Sequence, residues 1–238
     1  QADLLDQRPR RQLMLRVNAL IGFGRGAGAA ALPFGLYLLG SGSGTSSSTT
    51  VALTTTRAAP AGSTIVVLFG LGGGSTGSMS SVGDGGTNTY TVIAASGSYC
   101  RMFHKQNASL LPAGSTITGT FSSAATDRAI IAAYISGAAA ASADVNSIAN
   151  GSTGGMNSGS TSSLAQANEI FVGGVIHSSA QTLTEDSNYS TLETIVAGTA
   201  RLNMASRIVS TASGRNYRPS GSGALSNWTS IASSYKAA

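Results

Sequence analysis

Short runs of apolar and β-branched residues recur along the chain from about residue 51, and turn-forming residues separate them. The clearest run is Arg128–Gly137, in which a charged residue precedes the apolar positions and a glycine follows them, and it predicts a strand at Arg128–Ser136. A run this short, with turn signals at both ends, is typical of a strand that is buried on both faces. The same pattern predicts nine further strands: Val51–Thr56, Thr64–Phe69, Thr89–Ala94, Ser98–Gln106, Ser115–Phe121, Glu169–His177, Leu192–Val196, Ala200–Ser210 and Ser226–Tyr235.

The segments between these strands carry the residues that favour turns, as at Gly83–Gly86 and Pro112–Gly114. About ten short strands with such connections predict an all-β fold, a two-sheet β-sandwich with jelly-roll-like connections. Residues 137–168 are rich in Ala, Ser, Gly and Asn and are interpreted as one long low-complexity connection. Within it, Ser142–Ile148 is expected to make a turn of helix.

The first 40 residues have a different pattern, with apolar segments at Leu13–Ile21 and Leu32–Leu39 around a glycine-rich break. We predict an N-terminal arm at 1–40, a Gly/Ser/Thr linker at 41–50 and the β-sandwich domain at 51–238. Each large apolar side chain of the arm would cost about 1.5–3 kcal/mol if left in water. The arm, helical or extended, is therefore expected to pack on another subunit through Arg10, Arg11, Leu13, Leu15, Val17, Leu20, Leu32, Phe34, Leu36 and Tyr37.

Charge is distributed unevenly. Residues 1–25 contain five arginines and two aspartates, a net charge of +3 out of the chain's total of +5. A basic segment on a nearly neutral body predicts that this segment meets an acidic partner, and the alternative is a solvated, disordered leader. The body has no basic stripe interleaved with aromatic residues, so direct nucleic-acid binding is not expected. The apolar segments are too short and too interrupted for a membrane span, which needs roughly 20 apolar residues.

The residues available for catalysis or metal binding are few. The two histidines, His104 and His177, lie on separate predicted strands, and the one cysteine, Cys100, is interpreted as a buried apolar residue. Glu185–Asp186 is interpreted as a solvated turn and Asp84 as part of a glycine-rich turn. The residues therefore predict no enzyme activity, no cofactor and no metal site. Sugar binding stays open, although the only tryptophan is Trp228.

From about Val51 onward the chain resembles a family of β-sandwich domains found in bacteriophage virion proteins and in exported bacterial proteins. The order and spacing of five phrases carry the resemblance: Ala61–Val67, Val82–Tyr90, Arg128–Gly137, Ala167–Gly174 and Asn227–Lys236. The resemblance implies a decoration, head-fibre or tail-fibre module, often trimeric. The expected partners are therefore capsid or tail subunits and further copies of this chain.

Together these observations predict a non-enzymatic structural protein of a bacteriophage virion, attached to the particle by its N-terminal arm. Removal of residues 1–40 is expected to leave a folded sandwich that no longer joins the particle. The alternative is an exported bacterial module at the cell surface that binds glycan or assembles into filaments. A hydrolase would instead require two carboxylates facing each other across a cleft.

Overall fold

The architecture is all-β, as predicted. The computed structural model describes residues 32–73, 77–86, 88–93, 99–153, 155–223 and 226–238, and these residues form strands and no helix. The strands are β1 (Gly35–Gly44), β2 (Ser48–Thr54), β3 (Thr64–Leu71), β4 (Met79–Gly83), β5 (Thr91–Val92), β6 (Cys100–Lys105), β7 (Thr116–Ala125), β8 (Arg128–Ser136), β9 (Ala138–Gly151), β10 (Glu169–His177), β11 (Leu183–Thr184), β12 (Ser190–Ala197), β13 (Ala200–Val209), β14 (Ser220–Gly221) and β15 (Trp228–Ala237).

These strands form four antiparallel sheets. The central sheet has the order β1-β8-β3-β6-β5, and the outer sheet has the order β12-β13-β10-β15-β9. A three-stranded sheet has the order β2-β7-β4, and β11 pairs with β14 as a two-stranded ribbon. The arrangement is consistent with the predicted β-sandwich.

The central sheet is buried on both faces because a second sheet packs on each. Along β8, Ile131 and Ile135 belong to the apolar cluster shared with the outer sheet. Ile130 and Tyr134 belong to the cluster shared with the three-stranded sheet. Successive side chains of a strand point to opposite faces, so a strand between two layers must be apolar at nearly every position. This explains why the run beginning at Arg128 has no alternation.

The outer sheet is also covered on both faces. On β10, Val172 and Ile176 face the central sheet, whereas Phe171 and Val175 belong to a third cluster. That third cluster includes Tyr217 from the segment that follows β13, together with Met156, Leu164 and Trp228. The bounds predicted for β8 and β10 agree with the structure at both ends.

The predicted linker at 41–50 is wrong. Strand β1 runs through Gly44 and pairs with β8 from Gly35 opposite Ser136 to Gly44 opposite Arg128, and β2 begins at Ser48. The glycines of β1 reflect close packing. A Cβ on Gly40 would lie 2.7 Å from a main-chain oxygen at the C-terminal end of β2, and a Cβ on Gly42 would lie 2.1 Å from another main-chain oxygen of β2. The Gly/Ser composition therefore marks close contact between two chain segments.

The predicted connection at 137–168 is also wrong over its first half. Residues Ala138–Gly151 form β9, which pairs with β15, so Ser142–Ile148 is extended and not helical. Small residues of this strand fit under larger neighbours: a Cβ on Gly151 would lie 2.5 Å from the Trp228 ring. The Thr64 and Ser142 hydroxyls are 2.8 Å apart in the core. A strand of small polar residues lacks the alternation from which strands are predicted.

Candidate functional site

The predicted assembly residues divide into two groups. Arg10, Arg11, Leu13, Leu15, Val17 and Leu20 lie outside the described residues. Of the others, Leu32 is 43% exposed, whereas Phe34, Leu36 and Tyr37 are only partly exposed. The apolar side chains of residues 32–39 were expected to remain uncovered by their own chain, and for residues 34–39 that premise is wrong.

Apart from Leu32, the second group packs against the core of its own chain. Phe34 and Leu36 contact the cluster between the central and outer sheets, and Leu39 is fully buried. The Tyr37 ring stacks on Tyr134 with centroids 5.4 Å apart, and its hydroxyl donates a hydrogen bond of 3.0 Å to the Pro33 carbonyl. Strand β1 thus belongs to the core. For residues 34–39, the apolar pattern no longer supports contact with another subunit.

A cavity of about 450 Å³ lies at one corner of the outer sheet. Its lining comes from β10, β12 and β13 and from the segment that leads into the ribbon: His177, Ala180, Gln181, Thr182, Leu183, Thr194, Val196 and Arg201. Small-molecule sites in proteins usually measure about 300–1,000 Å³. The cavity is therefore large enough for a small ligand.

Strand register places the polar groups of this cavity side by side. His177 is opposite Arg201, and Arg201 is opposite Val196 on the next strand. Directly opposed residues have Cβ atoms about 4.5–5.5 Å apart and share a face. In the next row on that face, the Asn203 amide donates a hydrogen bond of 2.8 Å to the Thr194 hydroxyl. Asn203 in turn accepts one of 2.8 Å from the Tyr217 hydroxyl, so the wall of the cavity is fixed by a chain of hydrogen bonds.

His177 is fully buried at this corner. Its Nδ1 lies 3.0 Å from the Ser179 hydroxyl, and its Nε2 has no hydrogen-bond partner among the described residues. Burial and the positive charge of Arg201 lower the pKa of His177 to about 4, so the ring is neutral at pH 7. Arg201 donates from Nη1 to the main-chain carbonyls of Gly198 and Ala200, at 3.1 and 3.4 Å.

A buried carboxyl group lies at the opposite end of β10. Glu169 is fully buried, and among the described residues neither of its carboxylate oxygens has a hydrogen-bond partner. Burial raises the pKa of Glu169, and the nearby Asp144 carboxylate adds to that effect. Asp144 itself accepts a hydrogen bond of 2.7 Å from the Ala165 amide. No sequence pattern indicated this pair, because β9 was not predicted as a strand.

The remaining candidates have structural contacts. Asp84 accepts hydrogen bonds from the Gly86 amide at 3.0 Å, the Asn88 amide group at 2.8 Å and the Tyr90 hydroxyl at 3.3 Å, and these order its loop. His104 is buried beside the Tyr235 ring, and burial lowers its pKa. Cys100 is buried, as predicted, and burial raises the pKa of its thiol.

Two features of the described part of the chain bear on metals and membranes. Across the ranges given above, no three His, Cys, Asp or Glu side chains come together as a metal site would require. In the same ranges, no helix has the length and apolar character needed to cross a membrane.

Comparison of the chain with models of protein families, with curated proteins and with solved structures found no match. Sequence reasoning did not predict the cavity, although a signal for it was present. His177 ends one predicted strand and Arg201 follows the start of another, so antiparallel pairing of these strands would have brought the two residues together.

Proposed function

We propose that the chain is a non-enzymatic structural protein of a bacteriophage virion, a capsid decoration or a head- or tail-fibre module. It assembles as a homotrimer or another homo-oligomer and binds neighbouring capsid or tail subunits through its N-terminal segment. Support comes from the resemblance of the body to sandwich domains of such proteins. We also propose that the two five-stranded sheets are joined by jelly-roll connections.

The observation that carries the proposal is that the described body buries most of its apolar side chains within its own fold. Its apolar side chains fill three clusters, and its exposed large apolar residues are separated from one another along the sequence: Leu32, Val92, Leu110, Val196 and Ile208. Single exposed apolar residues of this kind are normal on protein surfaces. The basic, apolar sequence before residue 32 is thus the part of the chain best suited to hold a partner.

The outer face of the three-stranded sheet suits a module that projects into solvent. Thr50 and Thr54 on β2 stand opposite Thr120 and Thr116 on β7, and Ala52 stands opposite Thr118. These residues are exposed or partly exposed and carry no charge. Short hydroxyl side chains keep a sheet surface hydrated without offering a large apolar patch to other proteins.

The test compares particle attachment by the full chain and by a chain lacking residues 1–31. Deletion of 1–40 is unsuitable because it removes the first half of β1, whereas every described strand pairing lies at residue 35 or later. The shorter deletion is expected to fold and to lose attachment, measured by co-sedimentation with purified phage particles and by immunogold electron microscopy. A matched variant, Arg10→Gln with Arg11→Gln, should weaken attachment less than the deletion does.

Two results would contradict the proposal. One is full attachment by the chain that lacks residues 1–31, which would place the binding surface on the sandwich. The other is absence of the full chain from every purified particle tested. Light scattering coupled to size-exclusion chromatography measures the oligomeric state, and a monomer at all concentrations would argue against the homo-oligomer.

A second candidate function is an exported bacterial surface module that binds glycan or assembles into filaments. The polar cavity beside Arg201 favours the glycan-binding form of this alternative. A glycan array with the chain lacking residues 1–31 tests it directly. Immunogold labelling separates the two functions, because a surface module labels cell envelopes and a virion component labels particles at regular positions.

A further inference from the structure

We infer that the cavity at the corner of the outer sheet binds a carboxylated sugar residue, with Arg201 contacting the carboxylate and His177 forming the floor. The inference does not depend on whether the chain belongs to a virion or to a cell surface. Three observations support it: Arg201 forms no ion pair among the described residues, the buried Nε2 of His177 has no hydrogen-bond partner there, and hydroxyl and amide groups form the rim.

The cation is Arg201. Its described hydrogen bonds both come from Nη1 and go to main-chain carbonyls, and no carboxylate of the described part forms an ion pair with it. A guanidinium group has five N–H donors, and its planar fork matches the two oxygens of a carboxylate. The bonds from Nη1 hold the group in place and leave its other donors for a ligand. A carboxylate seated there would make charge-assisted hydrogen bonds, which are among the stronger ones in proteins.

The buried polar atom is Nε2 of His177. Buried nitrogen atoms of side chains nearly always have a hydrogen-bond partner, and those that lack one need a physical explanation. His177 lines the cavity, is fully buried, and is held by the Ser179 hydroxyl at Nδ1. A ligand oxygen in the cavity would supply the missing partner for Nε2, as donor or as acceptor according to the tautomer.

The rim selects the rest of the ligand. Gln181, Thr182 and Thr194 present amide and hydroxyl groups, and Leu183 and Val196 add a small apolar surface. Val196 is 52% exposed, so the cavity opens to solvent on this side. A sugar ring has hydroxyl groups around its edge and C–H groups on its faces, and both kinds of surface find a counterpart here. A carboxylate on such a ring accounts for Arg201.

The experiment measures binding of glucuronate and of N-acetylneuraminate to the full chain by isothermal titration calorimetry and by ligand-observed NMR. Glucose, acetate and inorganic phosphate are the comparison probes. We expect both carboxylated sugars to bind at least tenfold more tightly than any comparison probe. Arg201→Gln should weaken their binding at least tenfold, and Val196→Glu, which adds a negative charge at the opening, should also weaken it.

The matched control is Arg207→Gln. Arg207 lies on the same strand and the same face as Arg201, is similarly exposed, and does not line the cavity. This variant should bind the sugars as the parent does. Circular dichroism and thermal unfolding establish that each variant is folded, and Val196→Glu supplies the test if Arg201→Gln does not fold.

Several outcomes would overturn the inference. Absence of binding by both carboxylated sugars would do so, as would equal binding of glucose. Phosphate or acetate binding as tightly as the sugars would show a general anion site and reject the sugar. Equal loss of binding in Arg201→Gln and Arg207→Gln would show that net charge, and not the cavity, holds the ligand.

Discussion

Strands β8 and β10 have the same burial pattern and different uses in the molecule. Each has nine residues, all of them buried. Strand β8 lies in the central sheet, and its side chains from Ala129 to Ile135 enter two apolar clusters. Strand β10 lies in the outer sheet and has a glycine pair at its centre and a titratable residue at each end.

The ends of β10 hold groups that the fold satisfies only in part. Glu169 at one end and His177 at the other are both fully buried, and each has side-chain atoms without a described hydrogen bond. The charged residue of β8, Arg128, is in a similar position, since it donates a hydrogen bond to the Ser46 carbonyl while its buried Nε has no described partner. Complete burial therefore does not by itself identify a purely structural strand. The cavity distinguishes the two strands, because His177 of β10 lines it and no residue of β8 does.

The largest expected effect comes from removing volume inside β8. Ile131→Ala leaves a cavity between the central and outer sheets, where Ile131 is fully buried. We expect the free energy of unfolding to fall by about 2–5 kcal/mol, measured by urea denaturation. Ile208→Ala on β13 is the matched control, because Ile208 is 53% exposed. That control should change stability by no more than about 0.5 kcal/mol. Equal effects of the two substitutions would contradict the assignment of β8 to the core.

A smaller effect is expected from adding volume inside β10. In Gly173→Ala the new Cβ would lie 2.5 Å from the ring of Tyr217, which is fully buried and bonded to Asn203. Since the ring has little room to move, we expect a loss of about 1–3 kcal/mol in the free energy of unfolding. Gly83→Ala on β4 is the control, because among the described residues, its two chain neighbours apart, no atom lies within 4 Å of the added Cβ. A neutral Gly173→Ala would indicate that the segment carrying Tyr217 packs less tightly than described.

The same contrast explains how much of the fold could be predicted from the sequence. Strands β8 and β10 were predicted with correct bounds because both are continuous apolar runs between turn signals. Strands β1 and β9 were missed because close contacts there require glycine, alanine and serine. At Gly42 and Gly151 a side chain would collide with β2 or Trp228. Composition read locally gives the same signal for a flexible segment and for a closely packed one.

The cavity could not be predicted from the sequence for a related reason. His177 and Arg201 are 24 positions apart, and only the register of β10 with β13 makes them neighbours. Neither residue belongs to a recognised motif, so its chemistry appears only when pairing is known. The segment from Ala180 to Leu183, which leads into the ribbon and lines the cavity, has a strand pattern too short to be predicted from the sequence. Long-range pairing therefore decides where the chemistry of this chain lies.

The smallest expected effect concerns the pH dependence that His177 confers. The pKa of His177 is lowered to about 4 in the folded chain, against 6.5 for an ordinary histidine, so the unfolded chain binds more protons between these values. Its contribution to stability is complete above pH 6.5 and is lost as the pH falls towards 4. Between pH 7 and pH 5, His177 should account for a loss of about 1–2 kcal/mol in the free energy of unfolding.

Urea denaturation at pH 7 and pH 5 measures this loss in the parent and in His177→Gln, where the loss should be smaller. The chain has two histidines, so NMR titration of the imidazole signals gives both pKa values, with His104→Gln assigning them. Burial lowers the pKa of His104 as well, so part of the pH dependence remains in His177→Gln. A midpoint for His177 at or above 6.5 would show that its ring is hydrated, and β10 would then end in solvent as an ordinary strand does.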